Sequence, residues 1–202
     1  MSGKINFYYG VVGSRKSSEL LLTAHRNKSV GKKVEVFQPY KNNRDGNVVS
    51  SRAMEYTLPA VVVKDDFDFY KYCMENKFDL ILVDEFQFLS KNHCDQLVQL
   101  MIDSDINIFL YGLMSNFRGE LFPTVAYMLP YITTLNEIKT VCGHCGKRKA
   151  TMNVMIGEME ADKDGISIGN HFNGVCAVCF KELTKKGRIF LWTNSSVSVF
   201  LF

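Results

Sequence analysis

Two rhythms of apolar and polar positions run through the first 140 residues. Residues 4–9 alternate with period two and are rich in aromatics, which predicts a strand. A turn-rich loop follows over 10–16. Residues 17–27 then place their apolar side chains at helical spacing, with Ser17 or Ser18 able to cap the helix. The pattern continues with a strand over 33–37, a polar loop over 38–51 and a buried strand over 58–63 that ends in three valines. A short helix is expected over 66–76. The plainest apolar run, 79–83, predicts a fully buried strand. Helices at 91–102 and 119–129 alternate with strands at 106–111 and 132–139.

Strands alternating with helices at this spacing imply an α/β fold, a parallel sheet with helices on both faces. Ligands of such sheets bind beyond the carboxyl ends of the strands. From Val141 onward the chain turns to Cys, Gly and short strands, which sets a boundary near Thr140. The expected units are an α/β body over 1–140, a small cysteine-bearing subdomain over 141–187 and an apolar tail over 188–202. The tail reads as a small hairpin around Thr193-Asn-Ser-Ser196, and its apolar character favours burial against the body or at a subunit contact.

Composition narrows the partners. The chain has 202 residues, 47% of them hydrophobic and 22% charged, which excludes wholesale disorder. Its formal net charge of +3 is too small for charge-driven nucleic-acid binding, but it permits anionic ligands held by a few placed cations. The N-terminal residues lack signal-peptide architecture, and the apolar stretch at 189–202 is shorter than the ~20 residues of a membrane-spanning helix. A cytoplasmic protein is expected, with no membrane partner.

Two motifs sit where a sheet of this kind binds ligands. Gly10-Val-Val-Gly13-Ser14-Arg15-Lys16-Ser17 follows a strand and opens a helix, the setting of a phosphate-binding P-loop. There, backbone amides and the helix N-terminus hold phosphates, the lysine neutralises them and the serine hydroxyl reaches Mg²⁺. The usual glycine before the lysine is Arg15, whose side chain either crowds the phosphates or adds a cation. The second motif is the 79–83 strand ending in Asp84-Glu85. Such an Asp holds Mg²⁺ directly or through water, and a neighbouring Glu can act as base for a hydroxyl nucleophile. Solvated acids at a strand end are the bland alternative.

Six cysteines are present, and four form the pairs Cys142-Gly-His-Cys145 and Cys176-Ala-Val-Cys179. A turn carrying Cys-x-x-Cys brings two sulfurs to one metal, so the quartet predicts a closed, structural Zn²⁺ site. Cys73 and Cys94 have no partner in sequence and read as buried, idle thiols.

The P-loop, Asp84-Glu-Phe-Gln-Phe88, Tyr111-Gly-Leu-Met-Ser-Asn-Phe-Arg-Gly-Glu-Leu-Phe122, Glu137-Ile-Lys-Thr-Val-Cys142 and Glu182-Leu-Thr-Lys-Lys186 occur in one order. Together they resemble the thymidine kinase family of cellular and bacteriophage type, most of all its bacterial and phage members. The resemblance spans roughly residues 5–187. It implies ATP-dependent transfer of the γ-phosphoryl group to the 5′-hydroxyl of thymidine, usually in a homotetramer (or at least a dimer). It also implies a loop of the zinc subdomain that closes over the nucleoside.

Carried over by position, Gly10, Gly13, Ser14, Arg15, Lys16, Ser17 and Ser18 would bind ATP and Mg²⁺ together with Asp84 and Gln87. Glu85 would be the base. Phe88, Leu113, Phe117 and Phe122 would line the nucleoside pocket, for which plain core is the alternative reading. Arg44, Arg52, Ile168, Gly169 and Phe172 complete the substrate set. Several positions depart from the family: Arg15 for Gly, Gln38 for Lys, Asn42 and Asn116 for Asp, Met155 for Arg, Gly169-Asn170 for Gly-Gly and Phe172 for Tyr. The rival readings are therefore a catalytically impaired relative acting as a nucleotide-binding or regulatory protein and, most weakly, a zinc-ribbon nucleic-acid binder.

Overall fold

The computed structural model describes residues 2–42, 47–51, 54–156 and 172–184. Its frame is a six-stranded sheet in which every pairing is parallel. In chain order the described elements run β1 (Ile5–Tyr9), α1 (Lys16–Ser29), β2 (Val34–Pro39), β3 (Val48–Ser51), β4 (Met54–Pro59), β5 (Val61–Val63), α2 (Phe69–Asn76) and β6 (Leu80–Val83). They continue with α3 (Lys91–Asp103), β7 (Asn107–Gly112), α4 (Pro123–Met128), β8 (Thr134–Glu137), β9 (Met152–Met155), β10 (Phe172–Val175) and α5 (Ala177–Leu183).

Across the large sheet the order is β5-β2-β6-β7-β1-β8. The chain moves one way through α1 to β2 and on to β5, then reverses through α2, α3 and α4 to β8. A parallel crossover is almost always right-handed, so reversing the direction moves the connection to the other face. That rule accounts for the two layers. Ile81 and Val83 of β6 point into a core shared with Phe69 and Cys73 of α2, Leu97 and Leu100 of α3, and Val125 and Met128 of α4. Leu80 and Leu82 point the opposite way, onto Leu20, Leu21 and Ala24 of α1. A strand covered on both faces has no polar side to show, which is why 79–83 reads as an uninterrupted apolar run.

Four sequence expectations change in detail. The 58–63 strand is two elements, because the chain leaves β4 at Pro59 and enters the main sheet only at Val61. The polar 38–51 loop instead extends β2 to Pro39, turns through a 3₁₀ segment (Tyr40–Asn42) and forms β3, which pairs antiparallel with β4. This hairpin lies over α1, burying Val49 and Leu58, so its apolar residues are too few for a periodic signal. The 119–129 helix starts only at Pro123, which occupies the first helical turn where a missing N–H costs nothing. Finally, neither Ser17 nor Ser18 caps α1. The helix begins at Lys16 after Arg15, with no capping side chain.

Beyond β8 a second, smaller sheet of β9 and β10 carries its own apolar cluster, with Phe117, Val154, Met155 and Val175 packed around Cys142, Cys176 and Cys179. The two cysteines outside the quartet lie in the main core. Cys73 and Cys94 are fully buried, and burial pushes both thiols up to about 12, so they remain protonated and inert. Among the described residues no helix is long and apolar enough to cross a membrane. The tail at 188–202 lies outside the described residues.

Candidate active site

The loop from β1 to α1 is shaped by close approaches that only small or unusual residues permit. A Cβ at Gly10 would stand 2.4 Å from Ser14 Oγ and 2.7 Å from the Ile138 carbonyl, so the turn closes only on glycine. Gly13 has φ +79°. Arg15 has φ 66° and ψ 34°, the left-handed region that β-carbons disfavour by roughly 1–2 kcal/mol. Glycine adopts this conformation freely, so Arg15 is a site of backbone strain. The residue is exposed.

Within the loop, Lys16 is buried and donates from Nζ to the Val11 carbonyl at 3.2 Å. Ser14 Oγ is buried without a hydrogen-bond partner. An orphaned hydroxyl, a buried ammonium and an uncapped helix start together suit a phosphate anion.

Asp84 and Glu85 leave the carboxyl end of β6 directly opposite. Ser17 donates from Oγ to Asp84 Oδ2 at 3.0 Å, which joins the two motifs at one point. Burial pushes the Asp84 carboxyl up to about 7. The Glu85 charge adds to this, while the Ser17 hydroxyl and the Lys16 ammonium pull it back. A buried carboxylate beside a serine hydroxyl is the oxygen donor set that Mg²⁺ prefers. Glu85 takes a left-handed conformation, φ 46°. Its carboxylate accepts a short hydrogen bond from Gln87 Nε2, and Gln87 Oε1 accepts from the Leu113 amide at 3.1 Å. Gly112 makes room for this clamp, since a Cβ there would meet Gln87 Oε1 at 2.3 Å.

The four paired cysteines converge, with their sulfurs all within 4.8 Å of one another. A tetrahedron with ~2.3 Å Zn–S bonds needs sulfurs ~3.8 Å apart, so this set can close on one ion. Burial works against ionising Cys142, but the amides of Cys145, Cys176 and His144 hold it down at about 6. Amides of Lys147 and Arg148 likewise lower Cys145. Cys179 goes the other way, pushed up to about 12 by burial and by the neighbouring thiols. The protein thus prepares some thiolates, and a dication would complete the set.

A fold with these motifs has clear relatives. The thymidine kinase family model matches residues 3–180. The thymidine kinase of Shouchella clausii is 35% identical over 184 residues, covering 87% of this chain and 95% of that protein. The thymidine kinase of Listeria innocua is 33% identical over 180 residues (86% and 94%), and that of Streptococcus gordonii 32% over 186 residues (90% and 96%). The chain belongs to the thymidine kinase family.

Against the family pattern, the aromatic residues fall into two groups. Phe88 and Phe122 meet edge to face, with centroids 6.1 Å apart, beside the Asp84–Glu85 turn. Phe117 is buried and packs on Phe172 at 5.8 Å, within the cysteine-centred cluster. Phe117 is thus both core and a bridge to the smaller sheet, while Leu113 contributes its amide to the Gln87 clamp. Ser18 Oγ lies 2.6 Å from Ser51 Oγ, engaged with the hairpin over α1. Arg44, Arg52, Ile168 and Gly169 lie outside the described residues. Among the departures, Met155 is buried in the apolar cluster, a place where a charged guanidinium would need a partner. Asn116 builds its own turn, its Oδ1 accepting from the Arg118 and Glu120 amides.

Sequence reasoning missed Asn153. It is buried on β9, its Oδ1 accepts from the Val12 amide of the phosphate loop at 2.8 Å, and its Nδ2 donates to the Ser115 carbonyl at 2.9 Å. A polar residue in an apolar strand was the one signal that could have found it.

Proposed function

We propose that this protein transfers the γ-phosphoryl group of ATP to the 5′-hydroxyl of thymidine. The observation that carries the reading is the 3.0 Å contact between Ser17 and Asp84, which brings a phosphate loop and an acidic strand end to one point with Glu85 beside them. Lys16 and the amides opening α1 hold the phosphates, and Ser17 and Asp84 hold the Mg²⁺ that accompanies ATP and neutralises developing charge. Glu85 accepts the proton of the attacking hydroxyl at its carboxylate. Gln87 fixes that carboxylate against the Leu113 backbone, so the base is oriented before the nucleoside arrives. Phe88 and Phe122 flank the nucleoside, and Zn²⁺ on Cys142, Cys145, Cys176 and Cys179 holds the lid together as a structural ion. No observation here favours a non-catalytic relative.

The division into a nucleotide-binding body, a zinc-bearing lid and a tail belongs to the same reading, supported by the separate apolar cluster around the cysteines. So do a cytoplasmic location and a homotetramer or dimer, which rest on the family resemblance. Sedimentation at micromolar concentration checks the assembly, and a monomer would count against it. The activity is tested by incubating the purified protein with ATP–Mg²⁺ and thymidine and following thymidine monophosphate. Formation of that product by the wild type, and its loss in Glu85→Gln, is the expected result. Nucleotide binding without any turnover would overturn the reading.

A further inference from the structure

The smaller sheet touches the phosphate loop at two adjacent points. Asn153 of β9 reaches Val12 and Ser115 with its two side-chain ends, and each partner fixes which end is oxygen and which is nitrogen. Its cross-strand neighbour on β10 is Gly174. A Cβ on Gly174 would stand 2.4 Å from Val11 Cγ2 and 2.8 Å from the Val12 carbonyl. Gly174 also accepts from the Gly143 amide at 2.8 Å, inside the first cysteine pair. One continuous path therefore runs from the cysteine cluster through Gly174 and Asn153 to the phosphate loop. The second arm of Asn153 ends on Ser115, in the segment that links Leu113 to Phe117.

We propose that Asn153 is a positioning residue that locks the phosphate-donor loop and the nucleoside loop into one register, and so makes both depend on the cysteine-bound lobe. The assignment of the two loops rests on the function proposed above. Asn153 touches no reacting atom. Its effect is on where Val12 and Ser115 stand. A buried hydrogen bond to a backbone group leaves an unsatisfied partner when removed, so both loops should relax together when the side chain is lost.

Two variants separate hydrogen bonding from packing. Asn153→Leu keeps the branched outline at somewhat greater volume and removes both bonds, while Asn153→Ala removes both bonds and leaves space. Both are expected to raise KM for ATP and for thymidine together, by about tenfold at most, with kcat held within about twofold. Exchange of the Val12 amide with solvent, read by NMR, should speed up in both. In the wild type the same amide should be protected with zinc bound and lose that protection on chelation. A folded Asn153→Leu with wild-type KM values and an unchanged Val12 amide would reduce Asn153 to packing and overturn the proposal. If neither variant folds, the wild-type chelation experiment decides, and a Val12 amide indifferent to zinc overturns it. Failure of the wild type to phosphorylate thymidine would overturn the proposed function, while the Val12 exchange would still test the coupling.

Discussion

The two ends of the site stand on differently built supports. The phosphate loop and the Asp84–Glu85 turn grow from strands buried on both faces, between α1 and the layer of α2, α3 and α4. The lobe of β9, β10 and α5 has a cluster of seven buried residues among those described, and three of them are cysteines of the quartet. Apolar burial stabilises the first region without help. The second buries little apolar surface among its described residues, and a metal ion on the quartet would supply the cross-link that a small core lacks. On the proposed function, the reacting groups stand on the first support and the cysteine quartet on the second.

The largest effect should come from the metal. Zn²⁺ contributes on the order of 10 kcal/mol to folding of small four-ligand sites. Cys176→Ser or chelation should therefore unfold the lobe and leave the sheet body melting close to its original temperature. Calorimetry would show this as a separate transition, and a single joint transition would break the distinction between the two supports.

Next comes Glu85, the proposed base. Glu85→Gln should lower kcat by about 10²–10⁴ with zinc content and melting temperature unchanged, as a turnover assay and elemental analysis would reveal.

Asp84 sharpens the cost of placing charge in the rigid region. Its folded pKa, about 7, is raised from 3.8. Stability is then greatest below pH 4 with respect to this group and falls as pH rises through 7. Asp84→Asn should abolish turnover yet raise stability at pH 8 without Mg²⁺, the gain vanishing near pH 4. Denaturant melts at the two pH values check it.

Arg15 should have the smallest effect. Arg15→Gly relieves a left-handed backbone and should stabilise by ~1 kcal/mol and tighten ATP up to about tenfold, whereas Arg15→Ala should not stabilise. Slower turnover in Arg15→Gly would instead make the guanidinium a working phosphate ligand.

Features set by short-range spacing are legible in the amino-acid sequence alone. The doubly covered strand at 79–83, the loop opening a helix at Lys16 and the two Cys-x-x-Cys pairs each declare themselves within a few residues. The reason is that each is a local requirement: a strand buried on both faces must be apolar throughout, and a phosphate turn needs particular residues in fixed order. The 58–63 run misled for the same reason. Its apolar pattern is equally compatible with one strand or two, and only Pro59 and the crossover onto α1 divide it.

What only the tertiary structure decided are the contacts made across long stretches of chain. Ser17 and Asp84 are 67 positions apart, and Val12 and Asn153 are 141 apart. No local pattern can encode such pairs, because their partners are chosen by strand order and crossover hand. The same holds for Arg15, where sequence exposes an absent glycine and only the backbone shows that the position is left-handed. Residue type and spacing determined which chemistry the chain carries. Packing determined which of those groups meet, because burial and hydrogen-bond geometry act between neighbours in space.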